Sequence, residues 1–362
     1  MKLHRNLPFV LILLLFAFAC GNADDDIAFD LNQNELGLGN TPDDCLGFGE
    51  NELLLSIQEQ FTSLPGKVSV FFKVTDTEGN PVTGLTAGQF TIYEQGRNDD
   101  CFNTISASES LARISSKSQI FDNNTLLILD LSNSVLSNSL EELKSASTGF
   151  IENVMPGEAA ESFKMAIYWF DGEDKLHLLQ DLTSSTAELI TAIESINSDI
   201  SNDPSTDLYG AVIKATDLAE ELLDMNTENE IIGAASVVIF TDGSDQASRY
   251  SKDQALESVD EANRNISFFS IGLGAEIDTE ILTEIGKTFS VFAGNEAELE
   301  SVFNDISLKV SEQANSFYLF EYCSPKRDGS GENNLAIRLV NGDRQGAVQT
   351  TFDAKGFTGG CE

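Results

Sequence analysis

Asp130, Ser132 and Ser134 alternate directly behind the apolar run 126–129, the position of a loop leaving a buried strand. Thr206 stands two residues ahead of a helix-like segment starting at Leu208, and Asp242 closes a second apolar run, 237–240. Hydroxyls and carboxylates are hard oxygen donors, suited to Mg2+ or Mn2+ rather than to zinc. If the three loops meet, the neutral hydroxyls of Ser132, Ser134 and Thr206 leave the ion electron-poor, with the carboxylates of Asp130 and Asp242 held partly through water. Such an ion, with a coordination position open, attracts a carboxylate from outside. The expected chemistry is therefore Mg2+ (or Mn2+) binding that lets a protein partner complete the site with its own Asp or Glu. Asp207 and Asp245 lie beside these positions and read as bystanders able to tune the local charge. Asp171 and Asp203 read as solvated loop residues.

The elements that must carry these residues follow from hydrophobic period. From 121 to 314 the rhythm is strand, helix, strand. Strands are expected at 125–130, 163–170, 235–241 and 266–272, and a short antiparallel edge at 175–180. Helical spacing runs through Leu136, Leu140, Leu143, Phe150 and Val154, then over 187–200, 208–225, 253–264, 279–286 and 297–310. Near-continuous apolar strands mark a sheet covered on both faces, so this region is α/β, doubly wound and mostly parallel. Residues 45–120 and 315–362 instead read as short strands with turn residues between them, for example 68–74, 89–93, 317–323, 334–340 and 347–352. Fewer than about fifty C-terminal residues cannot easily form a core alone, so they are expected to dock on the 45–120 strands.

The three loops, taken in order, resemble the metal-ion-dependent adhesion site of von Willebrand factor A domains. Asp130-Leu131-Ser132-Asn133-Ser134 is similar to the first loop, Ser205-Thr206-Asp207-Leu208 to the threonine loop, and Thr241-Asp242-Gly243 to the third. The resemblance covers 121–314 and implies that Ser132, Ser134 and Thr206 touch the ion directly while Asp130 and Asp242 act mostly through water. The stretch 67–96, with Val82-Thr83-Gly84-Leu85-Thr86 and Phe90-Thr91-Ile92-Tyr93-Glu94, resembles the immunoglobulin-like sandwich found ahead of some bacterial domains of that family. The α/β domain is then expected to be inserted in, or flanked by, such a sandwich.

The chain begins as a targeting element. Lys2, His4 and Arg5 precede an apolar core at 10–19 that is too short to span a bilayer, so 1–19 read as a cleaved signal. Ala17-Phe18-Ala19-Cys20 resembles a bacterial lipobox, with Ala17 and Phe18 departing from the usual pattern, and implies lipidation at Cys20. The following stretch, 20–44, reads as a flexible acidic tether. Its Asp24-Asp25-Asp26 resembles the surface-export signal of Bacteroidetes lipoproteins. The expected location is the outer membrane, held by a lipid anchor; the sequence leaves the leaflet open, and the resemblance of the acidic triplet implies the cell surface.

Cys45, Cys101, Cys323 and Cys361 form an even set outside the cytoplasm, which reads as two disulfides with three possible connectivities. Neighbour pairing would bracket the two β-rich segments. A net charge of −38 excludes binding to a nucleic-acid backbone, because no basic surplus exists to release counterions. An enzyme is not expected either. After the signal, His177 is the sole histidine, it lies in the expected edge strand, and no G-x-S-x-G or phosphate loop is present. The function expected is a cell-envelope adhesion or ligand-binding module. The alternative is a scaffold in an envelope secretion, motility or uptake complex.

Overall fold

The computed structural model describes residues 36–106, 110–115, 121–156, 162–229, 231–327 and 331–361. The signal, Cys20 and the acidic triplet fall outside the described residues. Among the described residues no helix is long and apolar enough to cross a membrane.

A six-stranded sheet forms the centre. Its strands are β6 (Phe121–Asp130), β7 (Phe163–Phe170), β8 (His177–Thr183), β9 (Ile232–Thr241), β10 (Ile266–Leu273) and β11 (Phe289–Ala293). They lie in the order β11-β10-β9-β6-β7-β8, parallel except for β8, which pairs antiparallel at one edge. Because side chains alternate across a strand, each apolar run feeds two cores. Leu127, Leu129, Val238 and Phe240 face helices Leu140–Val154, Thr186–Ser195 and Leu299–Ala314. Leu126, Ile128, Val237 and Ile239 face helices Leu208–Glu228, Lys252–Glu261 and Thr279–Ile285. This is the mixed α/β, doubly wound arrangement that the strand–helix rhythm implies. β11 lies outside the strands that the hydrophobic pattern implies. It is a five-residue edge strand, too short to show a period against its neighbours.

Two four-stranded antiparallel sheets share a further core. One runs β1-β2-β12-β5, from Leu53–Ser63, Lys67–Asp76, Phe317–Cys323 and Arg113–Ser115. The other runs β14-β13-β3-β4, from Arg344–Asp353, Glu332–Asn341, Phe90–Gln95 and Asn103–Ile105. Val70, Phe72 and Phe320 of the first sheet pack with Phe90, Ile337 and Val348 of the second. Disulfides join Cys45 to Cys101 and Cys323 to Cys361. The first closes 56 residues, which on loop entropy alone stabilises by roughly 4 kcal/mol. A small apolar cluster that includes Phe71, Phe121, Phe317 and Leu319 connects β2 and β12 with the start of β6. Phe71 and Phe317 stack at 5.6 Å.

The tether expected over 20–44 does not persist to its end. Leu36 is buried in the core of the two four-stranded sheets, and Leu38 N–H donates to the Ile57 carbonyl at 2.9 Å. Asn40 exchanges backbone hydrogen bonds with Gln349 at 2.7 and 2.9 Å. Burial of one leucine and a short ladder outweigh the polar composition around them, so 36–40 act as an added edge. Gly37 permits this with a left-handed φ of 66° and a close approach to the Ile57 carbonyl.

Phe303 closes the core directly beneath the end of β9, with ring centroids 5.6 Å from Phe240 and 6.3 Å from Phe150. Phe303→Ala is expected to lower unfolding free energy by about 3–5 kcal/mol, read from urea midpoints at constant m-value. A loss under about 1 kcal/mol would show that this core does not hold the end of β9 in place.

Candidate metal centre

Three loops lie side by side at the carboxyl edge of the central sheet, where open α/β sheets bind ligands: two follow β6 and β9, and the one with Thr206 joins helices Thr186–Ser195 and Leu208–Glu228. Asp130 is the last residue of β6, and the chain turns at once into a short helix, Asn133–Asn138. The turn is made by Asp130 itself, whose Oδ1 accepts the Ser132 N–H at 2.9 Å. Ser132 and Ser134 then present hydroxyls 3.2 Å apart. The Ser134 hydroxyl donates to Asp242 Oδ1 at 2.8 Å, joining the first loop to the third across 108 residues of sequence.

Thr206 is buried in the middle loop. Its carbonyl accepts from Gln246 N–H at 2.8 Å and Ala247 N–H at 3.0 Å, which ties the threonine loop to the third. Asn133 N–H donates to the Pro204 carbonyl at 3.3 Å, tying it to the first. A methyl built on Gly243 would lie 4.0 Å from the Thr206 hydroxyl oxygen, so that hydroxyl faces the turn following Asp242. The structure thus brings Asp130, Ser132, Ser134, Thr206 and Asp242 onto one cluster of loops.

The electrostatics of the cluster are lopsided. Asp130 is fully buried, and its Oδ2 accepts the Thr241 hydroxyl at 2.6 Å. Among the described residues, no ion pair involves Asp130 or Asp242. Burial pushes the Asp130 carboxyl up to about 7, and the nearby Asp242 charge adds to the rise, while the Thr241 and Ser132 hydrogen bonds oppose it. Asp242 is also raised, first by burial and then by Glu276 and Glu296, against the Ser134 hydrogen bond. Two carboxylates and hydroxyl oxygens without a cationic side chain fit a hard divalent cation, which would lower both.

Thr241 was not singled out for a role by its sequence. A hydroxyl ending an otherwise apolar strand is the signal that could have found it, since a buried hydroxyl there must donate to something. The neighbouring aspartates also need revision. Asp171 is no solvated loop residue. It is buried, and its carboxylate accepts from Ser201 Oγ at 2.6 Å and Glu173 N–H at 2.9 Å. Asp203 is half-buried rather than solvated, and accepts from both the backbone N–H and the hydroxyl of Ser205 at 3.0 and 2.7 Å. These acids follow strands or turns whose backbone N–H groups need acceptors, so short carboxylates fold inward there.

Asp245 accepts from Tyr209 and Ser248 backbone N–H groups, at 3.2 and 2.9 Å, and so fastens the third loop to the start of helix Leu208–Glu228. Asp207 is buried, with Arg249 at 3.6 Å and Lys214 at 4.0 Å. Burial raises its carboxyl and these two cations oppose the rise.

The von Willebrand factor type A domain profile matches residues 124–305. No curated protein matches the chain. Solved structures of similar shape include the conserved hypothetical protein BatB from Bacteroides thetaiotaomicron, at 19% identity over 53% of this chain and 99% of that one, TM-score 0.42. A von Willebrand factor type A structure from Catenulispora acidiphila is 11% identical over 82% of this chain and 76% of that one, TM-score 0.44. The manganese-loaded TRAP protein of Plasmodium vivax is 14% identical over 69% and 98%, TM-score 0.42.

The raised Asp130 carboxyl has a definite pH signature. Its folded pKa, about 7, exceeds an unfolded value near 4, so the folded state holds the proton more tightly. In chelator, the protein should therefore lose stability as pH rises from about 4 through 7. Asp130→Asn removes the buried charge and should unfold at a higher temperature than the parent at pH 8 in EDTA, with the gap closing by pH 5. Ion binding needs the carboxylate ionised, so Mg2+ and Mn2+ affinity should fall as pH drops below about 7. Equal melting temperatures for both proteins across this range would contradict the assignment.

Proposed function

The chain belongs to the von Willebrand factor type A domain family, and we propose that it is a cell-envelope lipoprotein that grips a protein partner through a Mg2+-dependent adhesion site. The observation that carries this reading is the hydrogen bond from Ser134 to Asp242, at 2.8 Å, in a cluster of hydroxyls and carboxylates without a cationic side chain. Ser132, Ser134 and Thr206 would hold the ion, with Asp130 and Asp242 behind them. When bound, the ion supplies an electron-poor position that a partner's Asp or Glu completes.

The chain's own residues do the rest. Asp130 shapes the first loop by accepting the Ser132 N–H, and Thr241 fixes the orientation of that carboxylate. Asp245 and the Thr206 carbonyl keep the second and third loops in register. We read the two four-stranded sheets as an immunoglobulin-like support, and residues 1–44 as the route to a lipid anchor at Cys20 on the outer membrane. A partner that brings carboxylates meets a surface of net charge −38, but salt confines that repulsion to roughly 8 Å at physiological strength. Contact at the ion then decides binding, and moderate salt strengthens it.

Immobilised acidic peptides presenting single Asp or Glu side chains test the reading. Retention is expected in 1 mM Mg2+ (on the order of the affinities usual for such ions), with release by EDTA and at least tenfold weaker retention for Asp242→Ala. Retention that survives both EDTA and Asp242→Ala removes the mechanism. For the anchor, Cys20→Ser should move the protein from the membrane pellet to the soluble fraction of the producing cell. A Cys20→Ser protein that still pellets with membranes removes the lipid.

A further inference from the structure

A second cluster of ligand atoms lies beside the threonine loop and is built from other residues. Asp171, Glu173 and His177 place one carboxylate oxygen each from the two acids and one imidazole nitrogen within 4.8 Å of one another. We propose that these three residues bind a divalent transition ion of the zinc class, at the turn between β7 and β8 and behind the loop that carries Thr206.

The spacing leaves room for an ion among the three groups. His177 Nε2 lies 3.8 Å from Asp171 Oδ1 and 3.5 Å from Glu173 Oε2, beyond the 2.7–3.2 Å of a good hydrogen bond. Ligands bound at about 2.0–2.1 Å around one ion stand about 2.8–3.4 Å apart at right or tetrahedral angles, so an ion would draw these three groups a few tenths of an ångström inward from their 3.5 and 3.8 Å spacings. The nitrogen is shielded from solvent and, among the described residues, has no hydrogen-bond partner. A shielded imidazole nitrogen held between two carboxylates at 3.5 and 3.8 Å, with no closer acceptor among the described residues, has its polar capacity only loosely met, whereas buried polar atoms are nearly always closely paired.

The ligands are also held in place, as metal ligands generally are. His177 is the cross-strand partner of Trp169 and stacks on its indole at 3.9 Å between centroids with 9° between planes. Asp171 is fixed through both carboxylate oxygens, by Ser201 Oγ on one and Glu173 N–H on the other. Glu173 is the adjustable member, half-exposed at the rim. An imidazole with two carboxylates suits Zn2+, Co2+ or Mn2+ better than Mg2+, which prefers an all-oxygen shell. Three protein ligands leave a position for water.

The position of this site ties it to the first centre. The Asp171 carbonyl accepts the Asp207 N–H at 2.9 Å, and Asp171 Oδ2 holds Ser201, so one residue anchors both ends of the loop presenting Thr206. Gly172 lies against Ser205 and Asp203 in that loop so closely that any side chain there would collide with them. An ion on Asp171 therefore stiffens the threonine loop from behind.

Trp169 is the chain's single tryptophan, so its fluorescence reports on the stacked imidazole. The test uses chelator-stripped full chain carrying Asp242→Ala, which silences the first centre. That protein should bind one Zn2+ per chain in equilibrium dialysis, and Co2+ should quench its emission by more than half. Adding His177→Gln should weaken zinc binding at least tenfold and abolish the quench, while leaving the unfolding midpoint in EDTA within a few degrees. If either variant fails to fold, Glu173→Gln in the otherwise unaltered chain must weaken the Co2+ quench at least tenfold. The proposal is overturned if the Asp242→Ala protein binds no zinc and shows no quench, or if His177→Gln or Glu173→Gln changes neither. Because the first centre is silenced, these outcomes are separate from the fate of the Mg2+ reading.

Discussion

The feature on which the site depends is a carboxylate buried at the end of a strand with no counter-charge beside it among the described residues. Asp130 is taken out of water by the central sheet and accepts hydrogen bonds from Ser132 and from the Thr241 hydroxyl. Neutral donors do not offset the cost of desolvating a full charge. Asp242, raised by burial as well, makes the deficit worse. The loops thus store an unfavourable field that a divalent ion relieves, and the same field makes the ion's remaining position attractive to an external carboxylate. Affinity for cation and for partner come from one electrostatic imbalance.

Much of this was legible in the residues. The runs 126–129 and 237–240 are apolar at every position, which only a strand covered on both faces tolerates, and the two cores divide their side chains alternately. A polar residue ending such a run has to lie at the sheet's carboxyl edge, so the proximity of Asp130 and Asp242 follows from two strands being neighbours, as β6 and β9 are. Less legible was anything set by packing across the chain. In β1, Leu53, Ile57 and Phe61 repeat every four residues, a spacing that suits a helix as well as a strand, and only pairing with β2 decides the matter. Leu36 in a stretch of Asn and Gly looks like tether until its core partners are known.

Charged residues were the hardest to read. Asp171 and Asp207 carry the types of solvated loop acids, yet both are buried: Asp171 accepts from Glu173 N–H and the Ser201 hydroxyl, while Asp207 relies on the charges of Arg249 and Lys214 at 3.6 and 4.0 Å, which only partly oppose its desolvation. Sequence spacing carries no sign of that. The burial of Asp171 matters beyond its own stability, since it links β7, the threonine loop and the imidazole of His177 in one connected set. The carboxyl edge of the sheet then holds two kinds of ligand chemistry side by side: hard oxygens facing outward, and a mixed nitrogen–oxygen group behind.

Anomalous diffraction from a crystal soaked in Mn2+ tests the central claim most directly. The account predicts a peak bounded by the hydroxyls of Ser132, Ser134 and Thr206, with Asp130 and Asp242 behind it and one coordination position facing solvent or a neighbouring carboxylate. A crystal that diffracts well under saturating Mn2+ and shows no anomalous density among these five side chains would contradict it.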